Sequence, residues 1–136
     1  MSSSGLSYKV LVVDDSSTIR RSAEIFLTQA GHEVLFAQDG FEALAKVHEH
    51  EPQLIFCDIL MPKLDGYQTC AILKRNPRYA QIPLVLLSSK DGVFDRARGQ
   101  LVGCNAYLTK PFSKEQLLSA LAQYTQSAQV AAAGMA

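Results

Sequence analysis

"LIFCDILMP", residues 54–62, decides the fold. Leu54, Ile55, Phe56 and Cys57 make a short, continuous apolar run, the pattern of a strand covered on both faces. The run stops at Asp58, and Ile59, Leu60, Met61 and Pro62 follow without a helix signal. A carboxylate at the end of a buried strand costs stability unless a cation offsets its charge. Lys110, a bound metal, or both could be that cation.

Outward from this stretch, four further apolar runs recur: Val10–Val13, Val34–Ala37, Leu84–Leu87 and Ala106–Leu108. Helical periodicity fills the gaps. Ile19, Ala23, Phe26, Leu27 and Ala30 form one stripe, stopped by Gly31. Ala43, Leu44 and Val47 form a second, ended by Pro52. Gly66, Cys70 and Leu73 form a third, ended by Asn76-Pro77. Val93, Ala97 and Leu101 predict a fourth, ended by Gly103. Ser113-Lys114-Glu115-Gln116 is a capping box opening a fifth stripe at Leu117, Leu118, Leu121 and Tyr124. Strand and helix alternate five times. The fold class is therefore α/β, a (βα)5 doubly wound parallel five-stranded sheet with helices on both faces.

The chain has 136 residues, the size of one ordinary domain. Its 13 basic and 13 acidic residues balance, which gives no general attraction to nucleic acid or anionic membrane. No apolar stretch approaches the roughly 20 residues that span a bilayer, and the polar start lacks a secretory pattern. Cys57, Cys70 and Cys104 are an odd, scattered set. They fit small core residues in a reducing cytoplasm better than a disulfide framework or a zinc site. Residues 1–7 and 127–136 read as flexible ends, although the terminal alanines can extend the last helix.

In such a sheet, ligands gather outside the carboxyl ends of the strands. Asp14-Asp15 ends the first strand, Asp58 the third, Ser88-Ser89-Lys90 the fourth and Thr109-Lys110-Pro111 the fifth. Each has a plain structural reading: Asp15 as a helix cap, Ser88 as a turn residue, Lys110 as a loop residue before proline. Together they suggest a chemistry. Carboxylates with water are what Mg²⁺ accepts, and a carboxylate beside Mg²⁺ can attack phosphorus to give an aspartyl phosphate. The lysine and a hydroxyl such as Ser88 would then neutralise and bind the phosphoryl oxygens.

"VVDDSSTIRR" (12–21), "CDILMPKLDGYQ" (57–68), "VLLSSKDG" (85–92) and "YLTKPFSKEQL" (107–117) are four motifs in register. On them the chain resembles the response-regulator receiver domain, of the single-domain chemotaxis-regulator type, over residues 8–126. The resemblance implies the flavodoxin-like strand order 2-1-3-4-5, of which the chemotaxis regulator is itself a type example. It implies Asp58 as phosphoacceptor and Asp14, Asp15 and Asp58 as Mg²⁺ ligands (Mn²⁺ as a substitute), with the backbone carbonyl of Leu60 as a further ligand. Lys110 resembles the phosphate-binding lysine, Ser88 the switch hydroxyl and Tyr107 the aromatic that changes rotamer. Ser89 is small and leaves room for phosphoryl access, and the Lys110-Pro111 bond is expected to be cis.

The protein so implied is no enzyme. It is a two-component phosphoacceptor with intrinsic Mg²⁺-dependent autophosphorylation and autodephosphorylation. Its phosphodonor is a chemotaxis-type histidine kinase or its phosphotransfer domain. Its output is binding of a protein target through the face of the fourth helix, fifth strand and fifth helix, where Arg96, Arg98 and Gln100 are exposed. A phosphate sink or scaffold in the same pathway is the alternative.

"DGYQTCAILKRNP" (65–77), "LSSKDGVFDRARG" (87–99) and "TKPFSKEQLL" (109–118) are similar to the chemotaxis-like regulators of type IV pili and twitching motility. Two positions depart from the swimming-chemotaxis type. Leu60 stands in place of an amide and Lys90 in place of an acid. An apolar Leu60 cannot orient the water that attacks a phosphoryl group, which predicts a long-lived phosphorylated state. Lys90 is expected to modulate the phosphoryl group or the kinase contact. Two rival classes fit poorly. A flavodoxin-like carrier would set Asp14-Asp15 against its flavin phosphate. A strand-end-aspartate phosphatase needs a second acid where Leu60 stands, and a cap domain besides.

Overall fold

The computed structural model describes residues 6–89 and 95–135, with side chains described as far as residue 125. The expected element order is present. β1 (Lys9–Val13), α1 (Ser17–Gln29), β2 (Glu33–Ala37), α2 (Gly40–His50) and β3 (Leu54–Asp58) form the first half. α3 (Gly66–Arg75), β4 (Leu84–Ser89), α4 (Arg96–Val102), β5 (Ala106–Lys110) and α5 (Lys114–Met135) form the second. All strand pairs are parallel, in the order β2-β1-β3-β4-β5. This is the order that the resemblance implied.

The continuous apolar runs split by the period of two into two cores. Val10, Val12, Leu54, Phe56, Val85 and Leu87 pack with Leu27 of α1 and Leu117 of α5. Leu11, Val13, Ile55, Cys57, Leu84 and Leu86 pack with Val47 of α2 and Cys70 and Leu73 of α3. Each fully buried branched side chain contributes about 1.5–3 kcal/mol, so both faces of β3 hold it in place.

Local signals set the helix ends. Ser113 Oγ accepts from the Gln116 N–H (3.0 Å) while Gln116 Oε1 accepts from the Ser113 N–H (2.8 Å), the predicted capping box. Gly103 ends α4 at φ 84°, a conformation glycine adopts at no steric cost. α5 continues to Met135, beyond residue 126, as its alanine-rich composition allows.

The predicted stripe of the fourth helix requires correction. Leu101 is 87% exposed and Ala97 is also at the surface, whereas α4 buries Gly99. A glycine carries no hydrophobic signal, so periodicity assigned the wrong face. Val93 lies outside the described residues.

The start of α3 locks the end of β3. The Gly66 N–H donates to the Ile59 carbonyl (2.8 Å), and a Cβ on Gly66 would strike the Asp58 carbonyl and Ile59 Cα. Asp65 caps α3 through a reciprocal bond with Gln68. From there a clasp reaches α4. The Asp95 N–H donates to the Tyr67 hydroxyl (2.9 Å), and the Arg98 guanidinium lies 4.5 Å over the Tyr67 ring. Arg98 also pairs with Asp65 at 3.4 Å.

Candidate functional site

Parallel strands bring their carboxyl ends to one edge, and the register decides which side chains meet there. Val13 lies opposite Cys57, Asp58 opposite Leu87, and Ser89 opposite Lys110. Asp14, Asp58 and Lys110 therefore converge although far apart in the chain.

Asp14 is completely buried. Its N–H donates to the Ala37 carbonyl of β2 (3.1 Å), and its Oδ1 accepts from the Ser16 N–H (2.9 Å). Its Oδ2 accepts from Lys110 Nζ at 3.1 Å. The same ammonium donates to Asp58 Oδ1 at 3.0 Å, and Asp58 is 3% exposed. Lys110 is thus a cation that answers the charge of Asp58, as the opening stretch required. The Lys110-Pro111 bond is cis, as expected.

Burial pushes the Asp58 carboxyl up to about 6, opposed by the Lys110 hydrogen bond and reinforced by the Asp14 charge. Burial by itself would lower the Lys110 ammonium. Its hydrogen bond to Asp58 and the charges of Asp14 and Asp58 outweigh that, and the pKa is raised. Lys110 is therefore charged at neutral pH.

Asp15 is exposed and is not spent on capping, because the N-cap of α1 is Ser16, whose Oγ accepts from the Ile19 N–H (3.4 Å). One oxygen from each of Asp14, Asp15 and Asp58 lies within 4.8 Å of the others. An all-oxygen set of two buried carboxylates and one open to solvent suits Mg²⁺, which keeps part of its water shell. Three carboxylates against one ammonium also leave a negative excess for a divalent cation to neutralise. The donor set fits the ion.

The remaining predicted residues take separate positions. Ser88 is buried inside β4 rather than in a turn, and its hydroxyl donates to the Ser89 carbonyl (3.4 Å). Ser89 is half-buried beside Lys110. Leu60 is 68% exposed just beyond Asp58. Tyr107 is 38% exposed and lines an open depression of ≈ 400 Å³ with Arg96, Gln100 and Tyr124. Lys90 lies outside the described residues.

Sequence reasoning missed Arg20, whose Nη1 donates to the Asp14 carbonyl at 2.6 Å. Its signal was available: a cation in the first turn of α1, the wrong end of the helix dipole. No helix among the described residues is long and apolar enough to cross a membrane.

A family model described as the response regulator receiver domain matches residues 10–122. Protein PilG from Pseudomonas aeruginosa is 56% identical over 119 residues, covering 88% of this chain and 88% of that protein. The solved structure of the chemotaxis response regulator CheY4 of Vibrio cholerae superposes with TM-score 0.81 at 34% identity, covering 88% of this chain and 99% of that one. The signal receiver domain of a signal transduction histidine kinase from Syntrophus aciditrophicus gives TM-score 0.80 at 29% identity, covering 88% and 91%.

Proposed function

The chain belongs to the response regulator receiver family, and from that premise we propose that Asp58 accepts a phosphoryl group from a histidine kinase or its phosphotransfer domain. The observation that carries this reading is the Lys110 ammonium shared between Asp14 and Asp58 at 3.1 and 3.0 Å. Asp58 is held at a strand end beside a fixed cation, which is the arrangement a carboxylate nucleophile toward phosphorus needs.

Asp14, Asp15, Asp58 and the Leu60 carbonyl would hold Mg²⁺, or Mn²⁺ in its place. When bound, the ion neutralises charge on the transferring phosphoryl group. The chain's own residues do the rest. Lys110 donates to the phosphoryl oxygens from its place between the two acids. Ser88 leaves the Ser89 carbonyl and turns to the new oxygens, and Tyr107 moves inward behind it. This biases a pre-existing equilibrium of the α4-β5-α5 face, where the depression beside Tyr107 receives the target. Ser89 and Leu60 flank the path to Asp58; apolar Leu60 orients no hydrolytic water, so the aspartyl phosphate is long-lived.

The receiver unit is residues 8–126. It acts in the cytoplasm as a signalling phosphoacceptor with intrinsic autophosphorylation and autodephosphorylation. The likeness to PilG supports a place in chemotaxis-like control of type IV pili and twitching motility.

The test is phosphorylation by a small phosphodonor, read by phosphate-affinity gel mobility. A shifted band that requires Mg²⁺ and is lost in Asp58→Asn is the expected result. An equal shift in Asp58→Asn would place the phosphoryl group elsewhere and sink the assignment.

A further inference from the structure

We propose that Arg20 is a positioning residue for the acidic pair, fixing the Asp14–Asp15 peptide from which the solvent-facing carboxylate of the cluster projects. The inference rests on the reading of Asp14, Asp15 and Asp58 as a divalent-cation site.

Helix economy does not explain this residue. α1 has no acidic residue in its first turn, and a cation there faces the positive end of the dipole. Its neighbour Arg21 behaves as a surface arginine, pairing with Glu24 at 3.2 Å with 73% of its side chain exposed. Arg20 instead folds back six residues to the Asp14 carbonyl at 2.6 Å, a charge-assisted bond.

The accounting at Asp14 shows what that bond does. Its N–H is held by Ala37, Oδ1 by the Ser16 N–H and Oδ2 by Lys110. The carbonyl lies past the end of β1, and Arg20 supplies its partner. With all four polar atoms tied, the peptide plane leading into Asp15 is set. Asp15 is exposed, so its aim depends on that backbone.

Charge and positioning predict opposite signs. As a mere cation near an anionic site, Arg20 would repel a divalent ion, and its removal would tighten binding. As a group that orients ligands, its removal weakens binding by about tenfold.

The experiment is calorimetric titration of the full chain with MgCl₂ for wild type, Arg20→Ala and Arg20→Lys. It is paired with amide hydrogen exchange at Ser16 in metal-free protein. Arg20→Ala is expected to bind about tenfold more weakly and to exchange the Ser16 amide faster. Arg20→Lys, which keeps a donor, should stay within about threefold of wild type despite losing the planar fork. Unchanged or tighter Mg²⁺ binding by Arg20→Ala would overturn the proposal. Should Arg20→Ala not fold, Arg20→Met, which keeps the stem but removes charge and donor, takes its place: weaker Mg²⁺ binding with faster Ser16 exchange supports the proposal, and unchanged or tighter binding overturns it. A wild type that binds no Mg²⁺ removes the cation-site reading itself. The Ser16 exchange rates then decide the positioning role alone.

Discussion

Lys74 and Lys110 are both half-buried cations, placed at opposite ends of the sheet. Lys74, in the last turn of α3, donates to the carbonyls of Ala80 (3.2 Å) and Ile82 (2.7 Å) and to Asn105 Oδ1 (3.1 Å). Asn105 Oδ1 also accepts from the Leu84 N–H at the start of β4. Every acceptor is neutral, and burial lowers the Lys74 pKa. Lys110 faces carboxylates in excess, and its pKa is raised. One cation is fully answered by dipoles and joins elements. The other balances only part of the surrounding charge. The setting of a half-buried lysine is thus defined by its acceptors rather than by its burial.

That contrast is most strongly tested by removing each lysine. Lys110→Ala leaves Asp14 and Asp58 buried without a cation. It should lower phosphorylation by at least about a hundredfold and cost about 3 kcal/mol of stability in EDTA. If the cluster holds Mg²⁺ as proposed, saturating Mg²⁺ should restore much of that stability, since a ligand of the folded state alone stabilises it. Lys74→Ala should cost about 2 kcal/mol by stripping acceptors of their donor. Mg²⁺ should restore none of it, and the folded fraction should still accept phosphate. Urea titrations with and without Mg²⁺ separate the two, and equal rescue of both variants would break the comparison.

A pH series sharpens the same point. The folded Asp58 carboxyl, near 6, stands above its ordinary 3.8. The fold binds its proton more tightly than the unfolded chain does. The resulting stability is complete below about pH 4 and is lost as pH rises through 6. Asp58→Asn in metal-free buffer should therefore be the more stable protein above pH 6, by on the order of 2 kcal/mol. The gap should close toward pH 4. Thermal melts across that range would show it, and a gap that widens on acidification would mean that the fold binds the Asp58 proton more weakly than the unfolded chain does.

The smallest effect on stability belongs to Leu60→Asn. With its side chain mostly exposed, the change should stay within about 0.5 kcal/mol. Its readout is instead faster decay of the phosphorylated band, since an amide can orient water. A wild-type half-life of seconds or less would remove the premise.

Legibility in the sequence followed the same division. Asp58 and Lys110 were readable because a charge at the end of an apolar run is locally anomalous. The order of elements was readable because two periodicities alternate. Lys74 was not, since a lysine in a polar-faced helix looks solvated until α3 is packed against the loops before β4 and β5. Nor was the Tyr67–Arg98 clasp, whose partners meet only when α3 and α4 lie side by side. The face of α4 was misread because its buried contact is Gly99, where backbone rather than side chain makes the approach.

Lys110 stands 96 residues after Asp14 and 52 after Asp58. During synthesis the acids emerge long before their counter-ion. A nascent chain that has reached α4 already carries Asp14 and Asp58, yet β5 must pair with β4 before the ammonium arrives. Charge balance at this edge thus waits for the last strand of the sheet. A complete acidic cluster with its counter-ion therefore certifies that the whole sheet, through its final strand, is in place.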